Sequence, residues 1–472
     1  MPAAAVSPRL TVVTTTEMPT TQAMQALRRQ LTGRVVSPVD PEWDAARRGW
    51  NLSVDQQPSL VVHAADVDDI VTTVRFAREQ GTSVSAQPIG HAATRAVDGA
   101  ILLRTGELRE LTVGGETRTA RVGPGVQWKL LNQALTGTGL SGLPGSSGDP
   151  TVVGYTLGGG MSWFGRKYGM AANRVRAVEL VNPEGELMRV TAEDDAELFW
   201  AVRGGGGDFG IVTALEINLL PVEHVTGGRL VWPAEGADAM LAAFVELAAT
   251  APDELTMWPR LLKLPDQDDV PEPLRGRWTA ELDLTYLGTA EQTVRAIARL
   301  RDLPAPLVDT IGPVPLTELG TITAEPTDAT PLVETTAFLT GFDHAATTAL
   351  VDGVAAADST PLTVVQVRHL EGAFTHPPTD GGAVSRLAEP YLLVAVAVTP
   401  TRELVVDATA GLQKLRAAIA GYDTGRRVMN YGDAAEVYPP DVLDRLRDIK
   451  RRRDPDGVIR SNRPVLPAES SP

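Results

Sequence analysis

The sequence predicts an α+β fold of more than one domain, on three observations. The chain has 472 residues, too many for one simple core. Ser59–His63, a helical stretch after Asp66, and Ser83–Ser85 follow one another as strand, helix and strand. About 30 residues is the length of a βαβ unit with a parallel pair. From Pro221 to about Arg426, long strand-like runs alternate with helical ones and have no Gly-rich turns between them. That pattern suits a sheet with helices on one face.

Composition sets limits on function. Hydrophobic residues make up 43% of the chain, the level of a soluble globular protein. Lys and Arg number 43 against 59 Asp and Glu, a net charge of −16. This argues against a nucleic-acid partner, because phosphate binding relies on basic surface. The basic run Lys450–Arg453 falls near the end of a predicted helix, where cations complement the dipole. It reads as a solvated helix end. With no cysteine, disulfides, thiolate catalysis and Cys-ligated metals are excluded. His63, His91, His224, His344, His369 and His376 show no metal spacing. No apolar run approaches the roughly 20 residues that span a bilayer. The first residues carry Arg9 but no apolar h-region and read as a disordered Thr/Pro lead-in. No membrane association and a cytoplasmic location are the expectations.

In chain order, Met24–Leu31 reads as a short helix. Asp40–Asn51 brings Trp43 and Trp50, both expected to pack in a core. After the first strand, Asp66 is a candidate N-cap, with Asp69 three residues on. Ile70, Val71, Val74 and Ala77 mark the apolar face of the helix, and Gly81 stops it. Ligands of parallel sheets bind outside the carboxyl ends of strands. The turn Gln87-Pro88-Ile89-Gly90-His91-Ala92 falls at such an end. Ala100–Leu103 and Thr119–Val122 read as strands, and a helix runs through Val126, Leu130, Leu131 and Leu135. Arg176–Asn182 and Glu186–Thr191 form a hairpin around Pro183–Gly185. Asp194–Val202 is a helix and Ile211–Leu219 a strand. Gly205–Gly210 matches G-x-G-x-x-G, but helix precedes and strand follows, the reverse of the dinucleotide order, so an NAD(P) site is rejected. Further on, helices are expected at Ala237–Ala248, Glu291–Arg301, His344–Ala356 and Glu403–Ile419. Strands are expected at Ala280–Tyr286, Thr363–Arg368 and Tyr391–Val398. Asp302–Thr330 reads as a long loop rich in proline, of the kind that is often a lid.

The densest chemistry lies in Gly145–Gly169 (GSSGDPTVVGYTLGGGMSWFGRKYG). Glycine lets a backbone approach a ligand closely, and successive free N–H groups form anion-binding concavities. The stretch therefore suits a phosphate-bearing cofactor; an ordinary Gly-rich turn is the weaker reading of it in isolation. It does not stand alone. Gly90-His91 precedes it, Arg203–Thr213 (RGGGGDFGIVT) follows, and Asn430-Tyr431 closes the series.

These four pieces, in this order, resemble the berberine bridge enzyme-like branch of the vanillyl-alcohol-oxidase-type FAD-linked oxidoreductases. The resemblance covers most of Asp40–Pro221 and then Val428–Pro464. It implies a discontinuous, two-subdomain PCMH-type FAD-binding domain with an inserted α/β substrate domain, an antiparallel sheet covered by helices. The expected boundaries are a lead-in and short helix to residue 30, FAD-binding residues 31–221, a substrate-binding insert 222–426 and an FAD-binding return 427–472. In the family the histidine matching His91 bonds covalently to the 8α-methyl carbon of the flavin. The usual Arg-Gly-Gly-Gly-His-Ser is here Gln-Pro-Ile-Gly-His-Ala. Many relatives attach flavin a second time through a cysteine; Ser147 occupies that place, so the resemblance implies one tether. The remaining cofactor contacts it implies are Gln87, Pro88, Ile89, Gly90, Ala92, Ser146, Ser147, Val152, Gly154, Tyr155, Gly158, Gly159 and Gly160. Gly210, Ile211 and Val212 match positions beside the ADP half, and Asn430 and Tyr431 match the flavin edge.

Tyr431 matches a tyrosine that acts as base in some relatives. A phenol has an ordinary pKa near 10 and needs a nearby cation or donor for that task. His369 is a second candidate base and Arg368 a candidate substrate contact. They lie on opposite faces of a strand, so only one of them faces the flavin. The expected function is an FAD-dependent oxidase acting on an alcohol, amine or activated C–H of a small secondary metabolite, as in natural product biosynthesis. Dioxygen is the expected acceptor and no metal takes part. The alternatives are a flavoprotein dehydrogenase with another acceptor, a redox-neutral cyclase or isomerase on the same fold, and a non-catalytic flavin carrier.

Overall fold

The computed structural model describes residues 19–268, 270 and 272–467; residues 1–18 of the expected lead-in lie outside them. Three sheets organise the chain. The first joins β1 (Arg34–Val36), β2 (Leu60–His63), β3 (Val84–Ala86) and β4 (Ile101–Arg104) in the order β1-β2-β4-β3. β2 and β3 both pair with β4 in parallel, so the two strands of the βαβ unit are not direct neighbours as expected. The reason lies in β4: all four of its residues are buried, which places it in the interior of the sheet. The crossover helix Val67–Gln80 starts where Asp66 caps the Asp69 N–H at 2.9 Å and ends at Gly81 with φ 64°. β3 is only three residues long, and its outer edge is covered by the C-terminal return. There Val84 N–H donates to Val458 O at 2.7 Å and Arg460 N–H to Val84 O at 2.9 Å.

The second sheet is antiparallel. It joins β5 (Leu111–Gly114), β6 (Thr119–Val122), β8 (Val175–Val181), β9 (Leu187–Val190) and β10 (Ile211–Asn218) in the order β5-β6-β10-β8-β9. β8 and β9 form the expected hairpin. A short pair, β7 (Leu140–Ser141) with β11 (Leu220–Pro221), closes its margin. The segment between helix Ala196–Val202 and β10 acts as a clamp. The Asp208 carboxylate accepts Ser461 N–H at 2.8 Å and Val465 N–H at 2.6 Å. Lys450 corrects the reading of a solvated basic helix end. It lies at the end of helix Pro440–Arg453 but is 5% exposed, paired with Asp454 at 2.8 Å and bonded to the carbonyls of Asp208 and Ile459. The buried ammonium thus fastens the return to the clamp, where an unpaired charge would be costly.

The third sheet is built from β12 (Thr226–Pro233), β13 (Leu255–Lys263), β14 (Trp278–Tyr286), β15 (Val308–Asp309), β16 (Gly312–Pro313), β17 (Leu332–Leu339), β18 (Leu362–His369) and β19 (Tyr391–Val398). Its main path runs β15-β12-β14-β13-β18-β19-β17, and β16 pairs with β12. Helices Ala237–Ala248, His344–Ala356 and Leu404–Ala418 pack on one face through Met240, Phe244, Leu350 and Leu415. The opposite face meets the glycine-rich stretch. Trp163 stacks on Trp258 of β13 with centroids 3.6 Å apart, and Thr256 Oγ1 donates to Trp163 O at 2.7 Å. The expected helix Glu291–Arg301 divides into helix Ala290–Ala296 and a 3-10 stretch Ala298–Asp302. Asp302–Thr330 is not a featureless loop: it carries β15, β16 and helical turns at Leu316–Glu318 and Gly320–Thr323. Among the described residues no helix is long and apolar enough to cross a membrane, and no group of three His, Asp or Glu is placed to hold a metal.

Candidate active site

The site is assembled from the carboxyl end of β3, the glycine-rich stretch, the free face of the third sheet and the C-terminal return. The loop after β3 is held from below by Arg104. Its guanidinium donates to Gln87 Oε1 at 2.6 Å, Gln87 O at 3.3 Å, Arg48 O at 2.7 Å and Ala46 O at 3.1 Å. It has no carboxylate partner among the described residues, and burial pushes it down to about 10. Gln87 in turn donates to Asn462 Oδ1 at 3.1 Å, and Thr94 Oγ1 donates to Asn462 O at 2.6 Å. The Gln87 side chain is therefore spent on bracing the loop. Asn462, which sequence reasoning did not single out, ties the loop to the return.

Gly90 adopts φ 95°, and a Cβ there would meet Gln87 Oε1 and Gly49 Cα at 2.8 Å. Glycine is required on both counts. Among the described residues, the backbone N–H groups of Ile89, Gly90, His91 and Ala92 donate to no protein acceptor. Successive free N–H groups of this kind form an anion seat, which fits the phosphates of a dinucleotide. His91 follows in the same turn, half-buried, and stacks on Trp50 with centroids 4.8 Å apart. Trp50 is thus not a core residue as expected. Its indole N–H donates to Thr327 O at 3.2 Å and its ring supports the imidazole. Burial lowers the His91 pKa to about 4, against a small opposing pull from Asp149, so the ring is neutral at pH 7. Neither ring nitrogen has a protein partner among the described residues.

In the glycine-rich stretch, Thr151 caps the Gly154 N–H at 3.2 Å and starts the turn Val152–Leu157. Gly158 is packed under Asn430, whose Oδ1 a Cβ would meet at 2.6 Å. Gly159 and Gly160 have φ 103° and 74°, and their carbonyls accept Ala172 and Ala171 N–H. Close packing thus accounts for these three glycines. Ser147 Oγ accepts Asp149 N–H at 3.2 Å, and Ser146 O accepts Thr323 Oγ1 at 3.2 Å. Gly210, Ile211 and Val212 are buried at the start of β10 beside β8.

The return brings Asn430 and Tyr431 against this stretch. Arg463, unnoticed in the sequence, donates to Asn430 O at 3.0 Å. Tyr431 differs from the expectation of an activated phenol. Burial and Glu334 push its pKa up, and the pull of Arg368 and Arg463 does not reverse this. It stays protonated at neutral pH. The phenol oxygen of Tyr155 is also buried, has no protein partner, and is pushed up by burial.

Strand parity separates the other two candidates. Arg368 faces the site: its Nε donates to Gln366 Oε1 at 2.8 Å and its guanidinium lies 4.4 Å from the Trp258 ring centroid. His369 corrects the reading of a second base. It is fully buried on the helix-covered face, 5.5 Å from Tyr391 and 6.1 Å from Phe244 by ring centroids. Its Nε2 lies 2.9 Å from Arg166 Nη1 and 2.7 Å from Glu371 Oε2. Arg166 also binds the carbonyls of Leu255, Ala251 and Leu370. This is a brace between the glycine-rich stretch and the sheet. The position of Glu334, half-buried on the site face of β17, was not legible because β17 itself was missed.

Residues 58–191 match the family described as FAD binding domain. The chain is 24% identical over 469 residues to (R)-6-hydroxynicotine oxidase of Paenarthrobacter nicotinovorans, covering 93% of this chain and 97% of that one. It is 27% identical over 279 residues to an FAD-linked oxidoreductase of Dictyostelium discoideum, 57% of each chain. Among solved structures, a BBE-like protein of Physcomitrella patens superposes with TM-score 0.81 at 19% identity, covering 94% of this chain and 99% of that one. A chitooligosaccharide oxidase gives TM-score 0.80 at 19% identity, covering 94% and 100%. The fold is that of the PCMH-type FAD-binding proteins. Residues 58–191 are thus an FAD-binding domain, and the proteins that the chain resembles are named as FAD-linked oxidoreductases and oxidases.

Proposed function

We propose that the chain is an oxidase that holds FAD through a covalent bond from His91. Its substrate is a small metabolite oxidised at an alcohol, amine or activated C–H, and dioxygen takes up the electrons as peroxide. The observation that carries this reading is the state of His91. Its imidazole is neutral at pH 7, has no partner among the described residues, is braced on Trp50, and sits within a run of backbone N–H groups that are free among those residues. Neutrality leaves a nitrogen lone pair for bond formation, and the braced loop fixes its direction.

Ile89 to Ala92 would seat the phosphates. Ser146, Ser147, Val152, Gly154, Tyr155 and Gly158 to Gly160 would line the flavin, with Gly210 to Val212 beside the ADP half. Asn430 and Tyr431 would stand at the flavin edge. The flavin supplies a hydride acceptor at N5. The chain supplies position and charge: Tyr431 offers a hydrogen bond, and Arg368, propped on Trp258, orients a polar group of the substrate. With serine at residue 147 there is no second tether. Two relatives are named as oxidases, of 6-hydroxynicotine and of chitooligosaccharides, which supports oxidase chemistry in this fold.

The test is acid precipitation of the purified holoenzyme. A yellow pellet is expected for the wild type, and His91→Ala should move the colour to the supernatant. A colourless wild-type pellet rules out the tether. Peroxide formed under air during turnover distinguishes the oxidase from a dehydrogenase or a redox-neutral enzyme.

A further inference from the structure

We propose that Glu334, not Tyr431 or His369, receives the proton from the substrate's O–H or N–H. The proposal rests on the oxidase reading above and adds to it the residue that completes the chemistry. Along β17, Val333, Ala337 and Leu339 pack under the helices. Glu334 therefore projects to the other face with Phe338, which joins Met161 of the glycine-rich stretch and Met170 just after it. The cross-strand neighbours of Glu334 offer it nothing polar: it lies opposite Val396, and Val396 lies opposite Val364. No hydrogen bond or salt bridge to the carboxylate is formed among the described residues.

The charged and titratable groups around Glu334 come from three other elements. They are Tyr431 and Arg463 of the return, Arg368 of β18, and Glu325 of the segment after helix Gly320–Thr323. Neither arginine is within salt-bridge distance. A desolvated carboxylate without a partner is costly to a fold, and such groups concentrate where chemistry needs them. Burial foremost, with Glu325 adding and the two arginines opposing, lifts Glu334 to about 7. Efficient general bases have pKa values near the working pH. Tyr431 is pushed the opposite way from a base, and His369 lies behind the sheet.

The step balances. The substrate's C–H hydrogen leaves with its electron pair for the cofactor, and the O–H or N–H proton forms an O–H bond on Glu334. A C=O or C=N bond forms in the substrate. Dioxygen takes up the electron pair with two protons as hydrogen peroxide, one being the hydrogen that left the C–H bond and the other coming from Glu334, which restores the carboxylate. This chemistry selects substrates that carry a hydroxyl or an amine on the carbon being oxidised. The base works as the carboxylate, so the rate should rise with pH through about 7.

The test uses holoenzyme in two measurements. The first is the visible absorption of the bound flavin from about pH 5 to about pH 9. The wild type should shift with a midpoint near 7, Tyr431→Phe should keep the shift, and Glu334→Gln should lose it. The second is anaerobic flavin bleaching by a panel of primary and secondary alcohols and amines. With a probe that bleaches the wild type, Glu334→Gln should slow reduction by about 10²-fold or more and lose the acid limb of its pH profile. Glu334→Asp should recover part of the rate. A wild-type spectrum unmoved by pH, a shift that survives in Glu334→Gln, or unchanged bleaching in that variant would each overturn the proposal. A Glu334-dependent shift with no bleaching by any probe would sink the oxidase reading instead, and the catalytic role with it.

Discussion

His91 and His369 are both shielded imidazoles whose basicity burial depresses, yet their surroundings are opposite. His369 is enclosed by Phe244 and Tyr391 and gripped at Nε2 by Arg166 and Glu371. Among the described residues His91 stacks on one ring and has no hydrogen-bond partner, and the N–H groups of its turn are free. Burial and a lowered pKa do not by themselves mark a functional histidine. What separates the two is unused bonding capacity. In His369 the fold engages Nε2 and seals Nδ1 in the core, and in His91 neither nitrogen is engaged among the described residues.

The largest expected effect follows directly. His91→Ala should abolish flavin retention through acid precipitation, whereas His369→Ala should leave the pellet yellow. Loss of colour in both variants would erase the distinction. Next in size is a stability effect on the other side of the comparison. Arg166→Ala leaves the carbonyls of Leu255, Ala251 and Leu370 without their donor. At about 1–3 kcal/mol for each unsatisfied group, the denaturant midpoint should fall by well over the effect of a surface change. Trp258→Ala, which removes one half of the stack with Trp163, should cost about 3–5 kcal/mol in the same measurement.

Acid sensitivity sharpens the contrast further. His91 and His63 both have folded pKa values near 4, below the ordinary 6.5. Below 6.5 the unfolded chain binds protons that the folded chain does not, so stability should decline as pH falls from 6.5 to about 4 and level off below. Urea unfolding of His91→Gln and His63→Gln across that window should show a shallower decline than the wild type. The smallest effect is expected at Asn462. Asn462→Ala removes the acceptor for Gln87 Nε2. It should cost about 1 kcal/mol and leave the pellet colour intact.

Much of the first two sheets was legible because their signals are local. Asp66 and Gly81 bracket a helix, Pro183–Gly185 turns a hairpin, and Gly90 demands a left-handed turn next to His91. The third sheet was read only in part. β12 contains Gly227 and Gly228, and β13 carries Pro259 in mid-strand, where a ladder donor is missing. Pro259 is tolerated because β13 pairs with β18 only from Arg260 to Leu262. β17 interrupts its apolar run with Glu334, Thr335 and Thr336. That interruption hid the strand and, with it, the carboxylate whose charge acts on Tyr431. Trp50, Asn462 and Arg463 were out of reach for a different reason: each acts across more than 30 residues of chain, and no local pattern announces such a contact.

The central claim is the bond at His91, and peptide mapping tests it most directly. Tryptic digestion of the holoenzyme releases Glu79–Arg95, which contains no other Lys or Arg and only this histidine. The account predicts that this peptide carries the mass and colour of the flavin. Recovery of Glu79–Arg95 unmodified, with all of the flavin free in solution, would contradict it.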